Sequence, residues 1–365
     1  HFKMDGFSTH YVFHKAKKIR IRSVPNPNEI PSSMTVATGS WDSQKNEVIV
    51  WNVSAQNSIE EENQDLLSNS SEPSPIVKYS ISGSTNDLKW LRLAASDFLL
   101  CATTHGEVRS FKVDLEDNKN AMSIDTSANN TGNVWRYHKG EVTAIDSYGD
   151  KTEIASVGED GAINIFNFDN LNYHRKIDNA DGLTINCVKY ITSTQLATAS
   201  TSSQIKFWDL RQASNKPTAV LREGPAGQLI HSLAVRPNHP DIIATGSSDG
   251  TVNVWDLRFP SKFPVFKKQA HTQQVWEIQF HPENPDYLMS CSNDGTLVLW
   301  NFNFNVAKPT TPNTVRDGAI TTEPITPAPF LTPINSLDFE PNFRTLIFAA
   351  DNETINVYPQ FIVAP

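Results

Sequence analysis

Ile243-Ala244-Thr245-Gly246-Ser247-Ser248-Asp249-Gly250-Thr251-Val252-Asn253-Val254-Trp255-Asp256 reads as two strands joined by a tight turn, and the chain repeats it. The first half is apolar and small, which suits a strand covered on both faces. Asp249-Gly250 carries the chemistry of a two-residue hairpin, which needs positive φ. After the turn Val252 and Val254 alternate with Thr251 and Asn253, the period of a strand, and an aromatic closes the run.

The same pattern returns at Val36–Trp51, Leu100–Phe111, Ile154–Phe166, Leu196–Trp208, Leu288–Trp300 and Ile347–Tyr358, making seven copies in all. Asp-Gly recurs at Asp160-Gly161 and Asp294-Gly295. In the middle of the chain the closing aromatics stand at about the 40–45-residue period of a WD40 repeat, whose four strands build one propeller blade. The longer spacings carry insertions. Length alone allows two or three domains, but self-similarity at this period predicts one all-β, seven-bladed WD40 β-propeller over residues 1–365. Its blades fall at about 17–82, 83–138, 139–179, 180–224, 225–270, 271–331 and 332–360 with 10–15.

Ile230–Pro237, Val275–Pro282 and Ile334–Pro341 read as the first strands of blades five, six and seven. Blade seven then lacks a fourth strand. Tyr11-Val12-Phe13-His14 is expected to supply it, closing the ring and removing its edges, with Phe361-Ile362-Val363 as the competitor. Segments 54–75, 114–133 and 304–324 are acidic and Ser/Asn-rich, Asn/Ser/Thr-rich and Pro/Thr-rich in turn. They read as loop insertions after the third strand of a blade, all on one rim, where a partner contact or a phosphorylated segment is the functional alternative to tolerated length. The basic run His14–Arg22 could be a nuclear address or a nucleic-acid patch, yet Ile19 and Ile21 alternate with Lys18, Arg20 and Arg22 as in a half-exposed strand.

One repeat carries a set of residues that resembles the structural hydrogen-bond set of WD propellers: His271, Ser290, Asp294 and Trp300. A catalytic Ser/His/Asp triad is the sharper alternative for three of them. The set belongs to the repeat, however, and a partial second copy stands at His138, Ser156 and Asp160 with Phe166 for Trp. Buried polar groups need partners, and such a set supplies them. Removing Asp294 is expected to leave the His271 side chain unpaired.

The chain carries a formal net charge of −9 and 19% charged residues, a poor balance for direct nucleic-acid binding. No run approaches the length of a membrane span. Cys101, Cys187 and Cys291 are an odd, widely spaced set in apolar strands, which reads as small buried hydrophobes and reduced thiols of an intracellular protein. No phosphate-binding loop, nucleophile elbow or metal-ligand spacing is found, so no catalytic residue, cofactor, metal or small-molecule substrate is expected.

Three stretches go beyond the generic repeat: the long first-blade turn Ala37–Glu47 before Trp51, Val157–Phe166 with Arg175–Asp181, and Ala270–Pro285 running on to Trp300. Together they resemble the forty-three-kilodalton nucleoporin family, WD-propeller subunits of the Y-shaped outer-ring complex of the nuclear pore. The resemblance is strongest in blades one and three to six. It implies a non-catalytic scaffold at the nuclear pore, partnered by other nucleoporins and above all by the helical subunit of the short arm. It further implies support of mRNA and protein transport, and a kinetochore role in mitosis. Trp208-Asp209-Leu210-Arg211 and Trp255-Asp256-Leu257-Arg258 resemble instead the WDxR boxes of substrate receptors for cullin-RING ubiquitin ligases. In that reading Arg211 and Arg258 contact the adaptor; otherwise they are surface arginines paired with acidic neighbours.

Overall fold

Strands that are apolar on both faces make a sheet that must be covered on both sides, and stacking such sheets around a ring covers every one. The computed structural model describes residues 8–22, 33–54, 72–94, 96–113, 132–149, 151–170, 174–222, 228–258, 263–302, 321–324, 332–340 and 345–358. Over these it forms seven four-stranded antiparallel sheets, with 28 strands as the only regular elements among the described residues. The inner strands are Ala16–Ile21, Thr85–Leu93, Val142–Ser147, Ile185–Thr192, Ile230–Val235, Val275–Phe280 and Ile334–Glu340.

Seven apolar clusters fill the spaces between neighbouring blades. Ala197, Ile205, Ile243 and Trp255 join blades four and five, while Val254, Ile278, Leu288 and Trp300 join five and six. In every blade the closing aromatic packs into the layer shared with the blade before it, Trp51, Phe111, Phe166, Trp208, Trp255 and Trp300 buried there and Tyr358 partly so. Truncating a side chain of this size in a packed core costs about 3–5 kcal/mol. Cys101, Cys187 and Cys291 are free thiols buried in these layers, and burial pushes Cys101 and Cys187 up to about 12.

The ring is closed by the N-terminal strand, as expected, but the strand is shifted toward the N-terminus and shares only Tyr11 with the Tyr11–His14 stretch expected. The closing strand is Ser8–Tyr11, paired with Thr354–Tyr358 from Ser8↔Val357 to Tyr11↔Thr354. Thr9 Oγ1 donates to Asn356 Oδ1 at 2.8 Å. Val12 adds a last backbone bond, its N–H donating to the Glu353 carbonyl at 2.9 Å, before Phe13 adopts φ +59° and the chain turns toward blade one, where His14 is engaged. Phe361-Ile362-Val363 lies outside the described residues.

The hairpin turns also differ from the expected two-residue form. Gly161, Gly250 and Gly295 have positive φ, while Asp160, Asp249 and Asp294 do not. Their N–H groups donate to Gly158, Ser247 and Ser292 three residues back. These are type I turns with glycine at the fourth position. The glycine is required by contact as well as by φ: a Cβ on Gly250 would sit 2.1 Å from the His271 carbonyl oxygen.

These turns and the links into each inner strand share one face of the ring, called upper here. The links from third to fourth strand share the lower face. The strand pairs Asn46–Ser54 with Ser74–Ile81, Val108–Val113 with Val134–Trp135, and Leu297–Asn301 with Thr321–Pro324 flank the three insertions. Most of each insertion (55–71, 114–131 and 303–320) lies outside the described residues. The basic run is a strand in which Ile19 and Ile21 are buried as expected. Lys18 and Arg20, however, face the central channel and are paired there, Lys18 with Glu277 at 3.3 Å, and Arg20 with Glu277 at 2.6 Å and Asp87 at 3.3 Å, while Arg22 pairs with Asp97 at 2.6 Å. Burial alone would push the Glu277 carboxyl up; Arg20 and Lys18 instead hold it at about 2.

Candidate functional site

Each closing tryptophan is buried and needs an acceptor for its indole N–H. The neighbouring strand supplies a hydroxyl at the matching rung. Trp51 donates to Thr38 at 2.8 Å, Trp208 to Thr198 at 2.9 Å, Trp255 to Thr245 at 3.3 Å and Trp300 to Ser290 at 2.9 Å. Sequence reasoning named this acceptor only in blade six. The signal was present in the repeat, because a Thr or Ser stands at that position of the second strand in all four blades.

In blade six the structure brings His271, Ser290 and Trp300 together directly, and Asp294 through an intermediary. His271 Nε2 lies 2.7 Å from Ser290 Oγ, and Nδ1 lies 2.7 Å from Thr296 Oγ1 but 3.7 Å from Asp294 Oδ1. Thr296 Oγ1 donates to Asp294 Oδ1. A single consistent direction of donation follows: indole to Ser290, Ser290 hydroxyl to Nε2, Nδ1–H to Thr296, Thr296 hydroxyl to carboxylate. Asp294 also accepts from the Thr272 and Thr296 backbone N–H groups. Burial pushes its carboxyl up; His271, Thr296 and these N–H groups outweigh that and hold it well below the ordinary carboxylate range.

The expected consequence of losing Asp294 is therefore corrected. His271 keeps Thr296 and Ser290, and the groups left without an acceptor are the Thr272 and Thr296 donors. The arrangement is also unsuited to nucleophilic catalysis. Ser290 is 0% exposed, and its oxygen already accepts from an indole and lies against the imidazole.

Blade three holds the second copy in a more direct form. His138 Nδ1 lies 2.9 Å from Asp160 Oδ1 and Nε2 lies 2.9 Å from Ser156 Oγ. Asn164 Nδ2 approaches the same ring at 3.0 Å, and Phe166 contributes no donor. Burial opposes ionisation of Asp160, but His138 and the Lys139 and Ala162 N–H groups hold its carboxyl at about 2. A third, shorter set was missed in the sequence: His14 Nε2 lies 3.1 Å from the Thr38 hydroxyl that serves Trp51. Blade four uses an ion pair instead, with Lys206 Nζ 2.9 Å from Asp181, which also accepts from Ser200 and Ser202.

Arg211 and Arg258 lie after the third strands of adjacent blades, at the lower face. Each closes a two-pronged contact on the aspartate of its own box. Arg211 reaches Asp209 at 2.9 and 2.7 Å, and Arg258 reaches Asp256 at 2.9 and 2.6 Å. Their side chains remain 67% and 58% exposed. An adaptor's carboxylate would have to share or displace these aspartates.

The inner strands surround a channel of about 730 Å³. Near its upper mouth each inner strand carries one register shift against its neighbour, at Lys17, Asn86, Thr143, Asn186, His231, Trp276 and Asn335. Such bulges re-aim side chains. Here several of them reach the next blade: Asn86 donates to the Val142 carbonyl, Asn186 to Ile230 and Asn335 to Ala16. The series is interrupted at His231 and Trp276, whose rings lie 5.0 Å apart in a tilted contact. Deeper in the channel Asp87, Asp146 and Asp338 accept from the backbone N–H groups of Ile145, Tyr190 and Ile21 of the following blades. No cluster of metal-ligating side chains occurs among the described residues, and no helix there is long and apolar enough to cross a membrane.

Comparison with known proteins adds kinship to this geometry. The family model described as "Nucleolar protein 10-like, N-terminal domain", a β-propeller, matches residues 151–358. The chain is 30% identical over 291 residues to "Nucleoporin Nup43" of Mus musculus, covering 76% of this chain and 71% of that protein. It is 29% identical over 291 residues to "Nucleoporin Nup43" of Homo sapiens, with the same coverage of 76% and 71%. It is 36% identical over 141 residues to "Nuclear pore complex protein nup43" of Dictyostelium discoideum, covering 38% of this chain and 33% of that one.

Proposed function

The chain belongs to the nucleoporin Nup43 family and carries, over residues 151–358, the Nucleolar protein 10-like β-propeller domain, and on that premise we propose that it is a non-catalytic scaffold of the nuclear pore. Its work is binding: it joins other nucleoporins of the Y-shaped outer ring, with the helical short-arm subunit as its immediate partner. Through that architecture it supports passage of mRNA and protein, and it accompanies the complex to the kinetochore in mitosis. It acts without a cofactor, metal or small-molecule substrate, and without direct contact to nucleic acid.

The observation that carries this reading is the alignment with Nup43, which spans 76% of this chain and 71% of the mouse protein. The site chemistry supports it. We propose that His271, Ser290, Asp294 and Trp300, with the copy at His138, Ser156 and Asp160, act as staples between upper links and blades. Their polar atoms are consumed internally and sealed from any substrate. A partner surface on such a ring needs about 800 Å² per side and an apolar centre.

Affinity purification of the tagged chain with quantitative mass spectrometry tests the proposal. Outer-ring nucleoporins are expected in near-equal amounts. Recovery of a cullin adaptor in their place, lost on Arg211→Ala with Arg258→Ala, would transfer the chain to the ubiquitin-ligase reading.

A further inference from the structure

Lys17 and Trp41 lie at adjoining strands of one channel wall, Lys17 in the bulge between Ala16 and Lys18 and Trp41 one rung above the Ala16–Ser40 pair. Ala16 pairs with Ser40, and the Trp41 backbone N–H donates to the Lys15 carbonyl. Both side chains line the channel. An ammonium has three N–H groups. That of Lys17 makes one hydrogen bond, to Asn86 Oδ1 at 2.6 Å, and no ion pair among the described residues. The indole Nε1 of Trp41 is buried and has no hydrogen-bond partner among the described residues. Asn86 has nothing further to give, because its Nδ2 is committed to Glu141 and to the Val142 carbonyl.

Every other lysine or arginine that lines the channel among the described residues is matched to a carboxylate: Lys18 and Arg20 to Glu277, and Lys89 and Lys189 to Asp146. At Lys17 and Trp41 donors thus exceed their acceptors, while the Glu141 carboxylate of the same lining accepts from Asn86. A buried donor without an acceptor is costly, and a charge-assisted acceptor recovers most.

We infer that the upper mouth of the channel, at Lys17 and Trp41, binds a carboxylate side chain presented by an acidic peptide segment of a partner. One carboxylate accepts from both groups and neutralises the ammonium. Burial and Lys18 push the Lys17 ammonium below its ordinary value, with Glu141 and Asp87 opposing. A bound carboxylate reverses that. A single negative charge suits the mouth better than a dianionic phosphate, because Glu141 and Asp87 already bear on Lys17. A peptide suits it better than a free small acid. His231 and Trp276 line the same channel and offer aromatic surface to the flanking residues, and His231 Nε2 is a further buried nitrogen without a partner among the described residues. The site does not depend on the nuclear-pore assignment, since it rests on side chains and not on kinship.

The test uses the full chain labelled with nitrogen-15. The Trp41 indole cross-peak is assigned by its loss in Trp41→Phe. Probes are acetyl-Glu-Glu-Glu-amide, its all-Gln counterpart and inorganic phosphate. The glutamate peptide is expected to move the Trp41 indole proton downfield with saturation, and the Gln peptide to leave it in place. By anisotropy of a fluorescein-labelled glutamate peptide, Lys17→Met weakens binding about tenfold, whereas Lys17→Arg retains it. Trp41→Phe, which keeps the ammonium, weakens binding about threefold and serves if Lys17→Met does not fold. An unmoved indole at saturating peptide, equal shifts with both peptides, unchanged affinity in the variants, or tighter binding of phosphate than of the glutamate peptide overturns the inference.

Discussion

In blade three the imidazole of His138 touches the Asp160 carboxylate at 2.9 Å, whereas in blade six the Thr296 hydroxyl stands between His271 and Asp294, which are 3.7 Å apart. The two sets have the same histidine, hydroxyl and aspartate. They differ at the residue two positions after the aspartate, Ala162 in one and Thr296 in the other. They differ also in the closing aromatic, because Trp300 adds a donor that Phe166 lacks. Matching residue types at matching positions therefore fix the neighbourhood of a polar network, while a single flanking hydroxyl decides its wiring. Blade six gains length and an extra buried donor. Blade three keeps the shorter contact and leans on Asn164.

The largest effect in this comparison lies in the turn that holds the sets. A Cβ on Gly161 would meet the Asp181 carbonyl oxygen at 2.3 Å, at φ +64°, whereas Gly149 has positive φ with nothing nearby. Gly161→Ala is expected to cost about 3 kcal/mol or more, and Gly149→Ala about 1 kcal/mol, read from urea midpoints. Equal costs would mean that φ and not contact governs the turn.

Next comes the shared hydroxyl. Ser290→Ala leaves both the Trp300 indole N–H and His271 Nε2 without a partner and is expected to cost about 2–3 kcal/mol; Ser156→Ala affects His138 Nε2 alone, which Asn164 still approaches, and costs about 1 kcal/mol. Thermal unfolding of the pair distinguishes them. A larger loss in blade three would reverse the account of the wiring.

Acid tests the carboxylates. Asp160 is held at about 2 against an ordinary 3.8, so its contribution is fully present above pH 4 and is lost as pH falls toward 2. Asp160→Asn is expected to flatten stability across that window while lowering it at neutral pH. A slope that is unchanged in the variant contradicts the role given to His138.

The smallest effect is the most specific. Thr296→Ala makes blade six resemble blade three, and closing a 3.7 Å gap lets His271 reach Asp294 directly. The cost is expected to be about 1 kcal/mol or less, because a lost intermediary is replaced by a direct contact. A cost equal to that of Ser290→Ala shows that the gap does not close.

The ring was legible because seven copies of one strand–turn–strand pattern leave few other folds open. What escaped was local or distant. The closing strand was displaced to Ser8–Tyr11 because His14 looks like a strand residue until Thr38, far along the chain, is seen to claim it. The glycine turns were misjudged because type I and mirror-image turns share Asp-Gly. The donor-rich mouth could not be read at all: Lys17, Trp41 and Asn86 are brought together by a bulge and by the neighbouring blade, and no sequence period marks them. The hydroxyls under Trp51, Trp208 and Trp255, by contrast, could have been found by aligning the copies.

The relatives are named as nuclear-pore proteins, and the matching propeller domain is described after a nucleolar protein. The most direct measurement is live imaging of the chain tagged at its own locus in interphase cells, beside markers of both. A punctate rim coincident with the pore marker is the predicted result; accumulation in nucleoli, with an empty rim, would contradict the scaffold assignment.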